Sequence, residues 1–219
     1  MSDPTSDLVL YIGNKNYSSW SFRPWIAMEA AGIPFADRVV PFDFAAGNPA
    51  FKELSPTGRV PVLHHGKLRV WESLAVIEYV AELFPDAGIW PTERTARAHA
   101  RSISMEMLAG FRSLRNACPM NIRRPQRAIE LPDGVMEDVA RIEAIWREAL
   151  ERSGGPYLFG AFSAADAMYA PVVNRLHAYL LTSDPGTLAY MDRVMAHPAW
   201  KKWQAAALAE TWIVPEDEA

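Results

Sequence analysis

Ser18-Ser19-Trp20-Ser21 lies between a short apolar strand pattern, Leu8-Val9-Leu10-Tyr11-Ile12, and a helix-like run from Phe22 to Ala31. Pro24 comes early in that run, where a helix tolerates it. Hydroxyls at such a junction meet the free N–H groups and the positive dipole end of a helix start, a setting that can hold an anion such as a thiolate. Serine is also favoured there as a plain N-cap, so the chemical reading needs partners elsewhere in the chain. Two follow. Pro61, in Arg59-Val60-Pro61-Val62-Leu63, cannot donate to a sheet ladder, which places it at a strand edge or bulge, with a cis bond as an option, and leaves the backbone of Val60 open. Glu72-Ser73 precedes Leu74 to Phe84, whose apolar spacing is helical, so an acid and a hydroxyl stand at a second helix start.

These three pieces, in this order, resemble the glutathione-binding domain of the cytosolic glutathione transferase superfamily. The resemblance covers nearly the whole chain and extends to Phe162-Ser163-Ala164-Ala165-Asp166, similar to the Ser-x-x-Asp box that opens a buried helix in that family's second domain. Within the superfamily, Ser18-Ser19-Trp20-Ser21-Phe22-Arg23 looks closest to the zeta-type (maleylacetoacetate isomerase-like) pattern Ser-Ser-Cys-Ser-Trp-Arg. Trp20 stands where that pattern has cysteine, a departure that bears on the zeta-type isomerisation and leaves general glutathione chemistry untouched.

The resemblance implies glutathione as co-substrate and a serine as its thiol partner, Ser18 first and Ser19 second. It implies that Val60, opened by Pro61, exchanges main-chain hydrogen bonds with the cysteinyl unit. Glu72 would pair with the γ-glutamyl ammonium, Ser73 would hold the α-carboxylate, and Arg59 or Lys52 would reach the glycine carboxylate. Lowering a thiol of ordinary pKa about 8.5 to neutrality needs about 2 kcal/mol. One hydrogen bond to the charged form supplies about 1.5–3 kcal/mol, so a neutral hydroxyl suffices. The electrophile pocket would be lined by Trp20, Met107, Phe111 and Arg112, with Arg115, Met120, Asn121 and Arg175 beside them. Arg175 either pairs with a nearby carboxylate or faces that pocket and binds an anionic substrate. The implied enzyme conjugates or isomerises a small electrophile as a homodimer. The alternative of another class is a non-catalytic module that keeps the scaffold to bind glutathione or another protein, and binding to immobilised glutathione tests for the contact set.

The elements that must position these residues read as two textures. Strands 8–12, 37–41, 60–64 and 68–71 alternate with helices 20–31, 49–54 and 73–84, an α/β thioredoxin-like βαβαββα order with a mixed sheet. Residues 1–85 form that domain, 86–92 a short connector, and 93–219 an all-α helical bundle with helices over 93–117, 134–153, 163–180, 187–196 and 198–211. Gly32 and Pro34 stop the first helix.

The 219-residue chain is half apolar and carries a net charge of −4, which gives no footprint for nucleic acid. Arg123, Arg124 and Arg127 form one local basic cluster, read as a solvated loop because no aromatics interleave it. No apolar run approaches the roughly 18–20 residues of a membrane span, and the first residues lack the features of a signal peptide, so a cytoplasmic protein is expected. The single cysteine, Cys118, suggests a packed structural thiol, and the five histidines offer no helical zinc spacing, so no metal is expected. Most of the eight tryptophans, Trp25, Trp146, Trp200 and Trp203 among them, read as core.

Overall fold

The computed structural model describes residues 8–218. Four strands, β1 (Leu8–Ile12), β2 (Ala36–Val39), β3 (Val62–His65) and β4 (Leu68–Trp71), form one mixed sheet in the order β2-β1-β3-β4. β1 runs parallel to β2 and antiparallel to β3, with Tyr11 opposite Arg38 on one side and Val62 on the other. β3 and β4 form a hairpin that turns at Gly66, whose φ of 57° suits a residue without a side chain. The Val60–Pro61 peptide bond is cis, and the ladder begins only at Val62, two residues later than the strand pattern suggests, because proline has no N–H to give it.

Helix α1 (Ser19–Ala30) is buried along almost all its length, since it lies between the sheet and the helical domain and touches α3 (Ser73–Leu83), α7 (Ala164–Tyr179) and α9 (Pro198–Ala209). That position explains an apolar run with no polar face. Trp203 stacks on Phe22 at 4.6 Å between centroids and Trp200 meets the same ring edge-on at 5.2 Å, so two of the tryptophans serve the seam between the domains. Gly32, at φ 67°, ends the helix as expected. The short helix α2 (Pro49–Leu54) follows β2.

The run 93–117 is not one helix. It divides into α4 (Arg94–Ala109) and α5 (Arg112–Ala117), with Gly110 extended and Phe111 at φ 55° between them. A Cβ on Gly110 would stand 2.8 Å from the Glu106 carbonyl, and the Asp138 carboxylate caps α5 by accepting the Leu114 N–H at 2.9 Å. Asp138 sits in the first turn of α6 (Val135–Ser153), so a neighbouring helix supplies the cap that starts α5. α7 opens on Ser163, whose N–H and hydroxyl both donate to Asp166 at 2.9 Å. Leu158 N–H and the Tyr190 hydroxyl donate to the same buried carboxylate, so the box also gathers a loop and α8 (Pro185–Ala196). After α9, a chain segment crosses back to the sheet domain and ends in a 3₁₀ turn, Pro215–Asp217. Among the described residues no helix is long and apolar enough to cross a membrane.

Arg127 of the basic cluster is exposed, but Arg123 and Arg124 are not part of a solvated loop. Arg123 donates to the carbonyls of Glu210 and Trp212, each at 2.6 Å, and to the Tyr17 hydroxyl at 2.7 Å, while Arg124 stacks over Tyr179 at 4.4 Å. The partners are far away in sequence, which is why local composition misreads them. Cys118 is fully buried at the end of α5, and burial pushes its thiol up to about 11, in keeping with a structural role.

Candidate active site

Ser18 is the N-cap of α1 and Ser19 its first residue, and both are almost wholly buried at the floor of a cleft of about 410 Å³ between the two domains. The Ser18 hydroxyl accepts the Ser21 N–H at 3.4 Å and donates to the Ser21 hydroxyl at 2.7 Å. Ser21 in turn accepts the Gly13 N–H at 3.1 Å. The end of β1 and the start of α1 are thereby linked through two hydroxyls. Ser19 makes no such internal bond among the described residues, and it lines both this cleft and an adjoining one of about 490 Å³. The α1 start therefore presents two hydroxyls and free N–H groups to one opening.

The second helix start is more strained. Glu72, the N-cap of α3, has φ 70° and ψ 130°, a conformation that costs a residue with a Cβ about 1–3 kcal/mol, and its carboxylate is exposed and caps nothing. Ser73 is buried, and its hydroxyl donates to the Trp20 carbonyl at 2.7 Å, which leaves only its N–H for a ligand and ties the start of α3 to the start of α1. Glu72 and Ser73 stand outside the walls of both clefts. Val60 and Arg59 do line the 410 Å³ opening beside Gly58, and Val60 takes part in no backbone ladder. Lys52 lies along the rim, its Cγ 3.2 Å from where a Cβ on Gly58 would be and its Nζ 3.7 Å from one on Gly47.

Beside the serines the clefts are cationic. The guanidinium groups of Arg23, at 4.5 Å, and Arg115, at 4.6 Å, both lie over the Trp20 ring. Arg175, 4 % exposed, donates Nε to the Cys118 carbonyl at 2.8 Å, and its Nη1 has no partner. Burial first, then the neighbouring Arg115 charge, pull the Arg175 pKa down to about 10, so it stays charged at neutral pH. Among the described residues none of these three arginines has a carboxylate within ion-pair distance. Ser19, Trp20, Arg115 and Arg175 line both openings, which makes a hydroxyl and two cations neighbours on one wall.

Residues 17–83 match the family model described as the glutathione S-transferase N-terminal domain, and residues 95–206 match that of the C-terminal domain. The chain belongs to the glutathione S-transferase family. Among curated relatives, a probable maleylacetoacetate isomerase of Caenorhabditis elegans is 26% identical over 182 residues, 81% of this chain and 82% of that protein. The maleylacetoacetate isomerase of Rattus norvegicus is 26% identical over 194 residues, 85% of this chain and 87% of the relative. Among solved structures, a glutathione transferase homologue from Sulfitobacter with bound glutathione shares 26% identity at a TM-score of 0.66, covering 90% of this chain and 96% of that one.

Not every residue expected in the transferase's electrophile pocket is there. Trp20, Arg112, Arg115, Met120 and Arg175 line one or both clefts. Met107 and Phe111 do not: Met107 is fully buried in the core, and Phe111 is turned into it by the left-handed break before α5. Asn121 is a tie instead, accepting from Asn16 at 2.9 Å and donating to the Asp217 carbonyl at 3.3 Å. Sequence reasoning missed Tyr17, Phe42, Phe44, Asn48, Phe51 and Asp217 on the walls of the 410 Å³ cleft. Phe42 and Phe44 stack at 5.1 Å, and a Cβ on Gly13 would lie 2.6 Å from the Phe42 ring, so glycine after β1 is what lets this aromatic wall close on the site. The pairing of Gly13 with an aromatic-rich loop after β2 was the available signal.

Proposed function

We propose that this transferase activates the glutathione thiol with the Ser18 hydroxyl at the start of α1 and delivers the thiolate to a small electrophile that carries a carboxylate, held by Arg115 and Arg175. The observation that carries the reading is the shared wall on which Ser19 and Trp20 adjoin two guanidinium groups without a described counter-ion. Glutathione would lie along Val60, with Glu72 and the Ser73 N–H at its γ-glutamyl end and Arg59 or Lys52 at its glycine end. In conjugation the sulfur forms a bond to an electron-poor carbon and the leaving group departs with its electron pair. Isomerisation of a double bond would instead regenerate the thiolate, and the names of the Caenorhabditis elegans and Rattus norvegicus relatives favour including it. A homodimer is part of the reading, supported by Leu68, Trp71 and Met105, large apolar side chains left exposed on the edge strand and on α4, and sedimentation at twice the chain mass is the expected result.

The test uses two electrophiles that differ in charge, 4-chloro-3,5-dinitrobenzoate and its methyl ester, with glutathione as the nucleophile. Arg175→Ala should reduce kcat/KM for the acid about tenfold more than for the ester, the value of one charge-assisted hydrogen bond. Equal losses would return Arg175 to a structural role.

A further inference from the structure

Asp217 is the only acidic side chain among the described residues lining either cleft. It is half-buried on the Pro215–Asp217 turn and shares the cleft with Arg175 and Arg115 without forming an ion pair with either. We propose that Asp217 is a specificity-determining counter-charge, which opposes Arg175 across the cleft and sets how tightly the transferase holds a carboxylate-bearing electrophile. This rests on the reading that the arginine wall receives such an electrophile.

The turn is fastened without using that carboxylate. Glu210 accepts the N–H groups of Lys15 at 2.7 Å and Asn16 at 3.1 Å, immediately before the serine pair. Arg123 holds the carbonyls of Glu210 and Trp212, Val214 is buried, and Asn121 donates to the Asp217 carbonyl. Tyr17 donates its hydroxyl to Glu218. Every one of these bonds uses main chain or a residue other than the Asp217 carboxylate. What remains for that group is its charge, which weakens the positive field acting on any anion bound beside Arg175. Burial pushes the Asp217 carboxyl up and Arg175 draws it back, as expected of two opposite charges that feel each other through the cleft. A cleft with two bare guanidiniums would retain an anionic product as firmly as it takes the substrate. A fixed opposing carboxylate weakens both complexes and speeds release.

The experiment compares wild type with Asp217→Asn and Asp217→Ser, using the benzoate and its methyl ester as above. Glu216→Gln is the control, since Glu216 is the exposed neighbour that lines neither cleft and its loss changes net charge equally. Asp217→Asn and Asp217→Ser should each lower KM for the acid about threefold to tenfold, leave KM for the ester unchanged, and slow release of the acid product. The control should behave as wild type. An unchanged or raised KM for the acid in both Asp217 variants overturns the inference, and so does an equal change in Glu216→Gln, which would mean only bulk charge is felt. Failure of the underlying reading looks different: Arg175→Ala would then not separate acid from ester in the wild-type background.

Discussion

Ser18 is the sharpest point at which the proposed chemistry can fail. Its hydroxyl lies 2.7 Å from the Ser21 hydroxyl, which also takes the Gly13 N–H at 3.1 Å. If Ser18 had to abandon Ser21 to serve the thiolate, a neutral bond of about 1 kcal/mol would be exchanged for a charged one of about 1.5–3 kcal/mol, a net gain near one pKa unit. The pair can instead reverse, with Ser21 donating to Ser18 and Ser18 to the sulfur, since either hydroxyl can be the donor. No bond is then lost and the full amount, about one to two units, lowers the thiol pKa. Ultraviolet titration of bound glutathione measures it. Ser18→Ala should raise the bound thiol pKa by about one to two units with little change in glutathione affinity. Ser21→Ala distinguishes the two arrangements by sign: it raises the pKa if the pair reverses, our expectation, and lowers it if Ser21 merely competes for the proton. A larger shift in Ser19→Ala than in Ser18→Ala refutes the assignment and moves it to the hydroxyl that is free in the structure. No shift in either leaves the helix start alone as activator.

Glu72→Gly should separate folding from binding. Release of the φ 70° strain outweighs the added freedom of the unfolded chain by about 1 kcal/mol, while glutathione affinity falls about tenfold or more with the loss of the carboxylate. Calorimetric unfolding and glutathione titration read the two, and unchanged affinity would remove Glu72 from the site. His197 caps α9 by accepting the Ala199 N–H at 3.2 Å, and burial lowers its pKa. The unfolded chain therefore binds more protons than the folded one as pH falls below the ordinary imidazole value of about 6.5, and stability declines there. His197→Asn keeps a cap without the proton, so urea midpoints measured across that range should lose this part of their slope.

What was legible in the sequence was chemistry that a residue enforces on its own neighbourhood. Pro61 lacks a donor whatever surrounds it, so the delayed start of β3 follows from local covalent structure, and Ser163 with Asp166 forms its box within one turn. The break between α4 and α5 was not legible because a glycine inside a helical run costs only about 1 kcal/mol, and the deciding partner, Asp138, comes from another helix. Arg123 and Asn121 were misplaced for the same reason, since their bonds reach Glu210, Trp212 and Asp217. Asp217 sits in a short acidic run, Glu216-Asp217-Glu218, that reads as a solvated face until the chain folds back over the cleft.

The three arginines show why the site is built at the junction of the domains. A buried guanidinium without a counter-ion carries a penalty of several kcal/mol, and here Arg23 and Arg175 are fully enclosed with one carbonyl bond each. Stacking on Trp20 returns about 2 kcal/mol to each of its two neighbours in a desolvated setting, which offsets part of that penalty and keeps Arg23 and Arg115 against one ring. A cysteine at this position, as in the zeta-type pattern, has no face to offer two cations. Trp20 is therefore tied to the charge of the wall it lines. On the proposed reading, the stabilisation Arg175 lacks from its own chain is what an anionic electrophile supplies on binding.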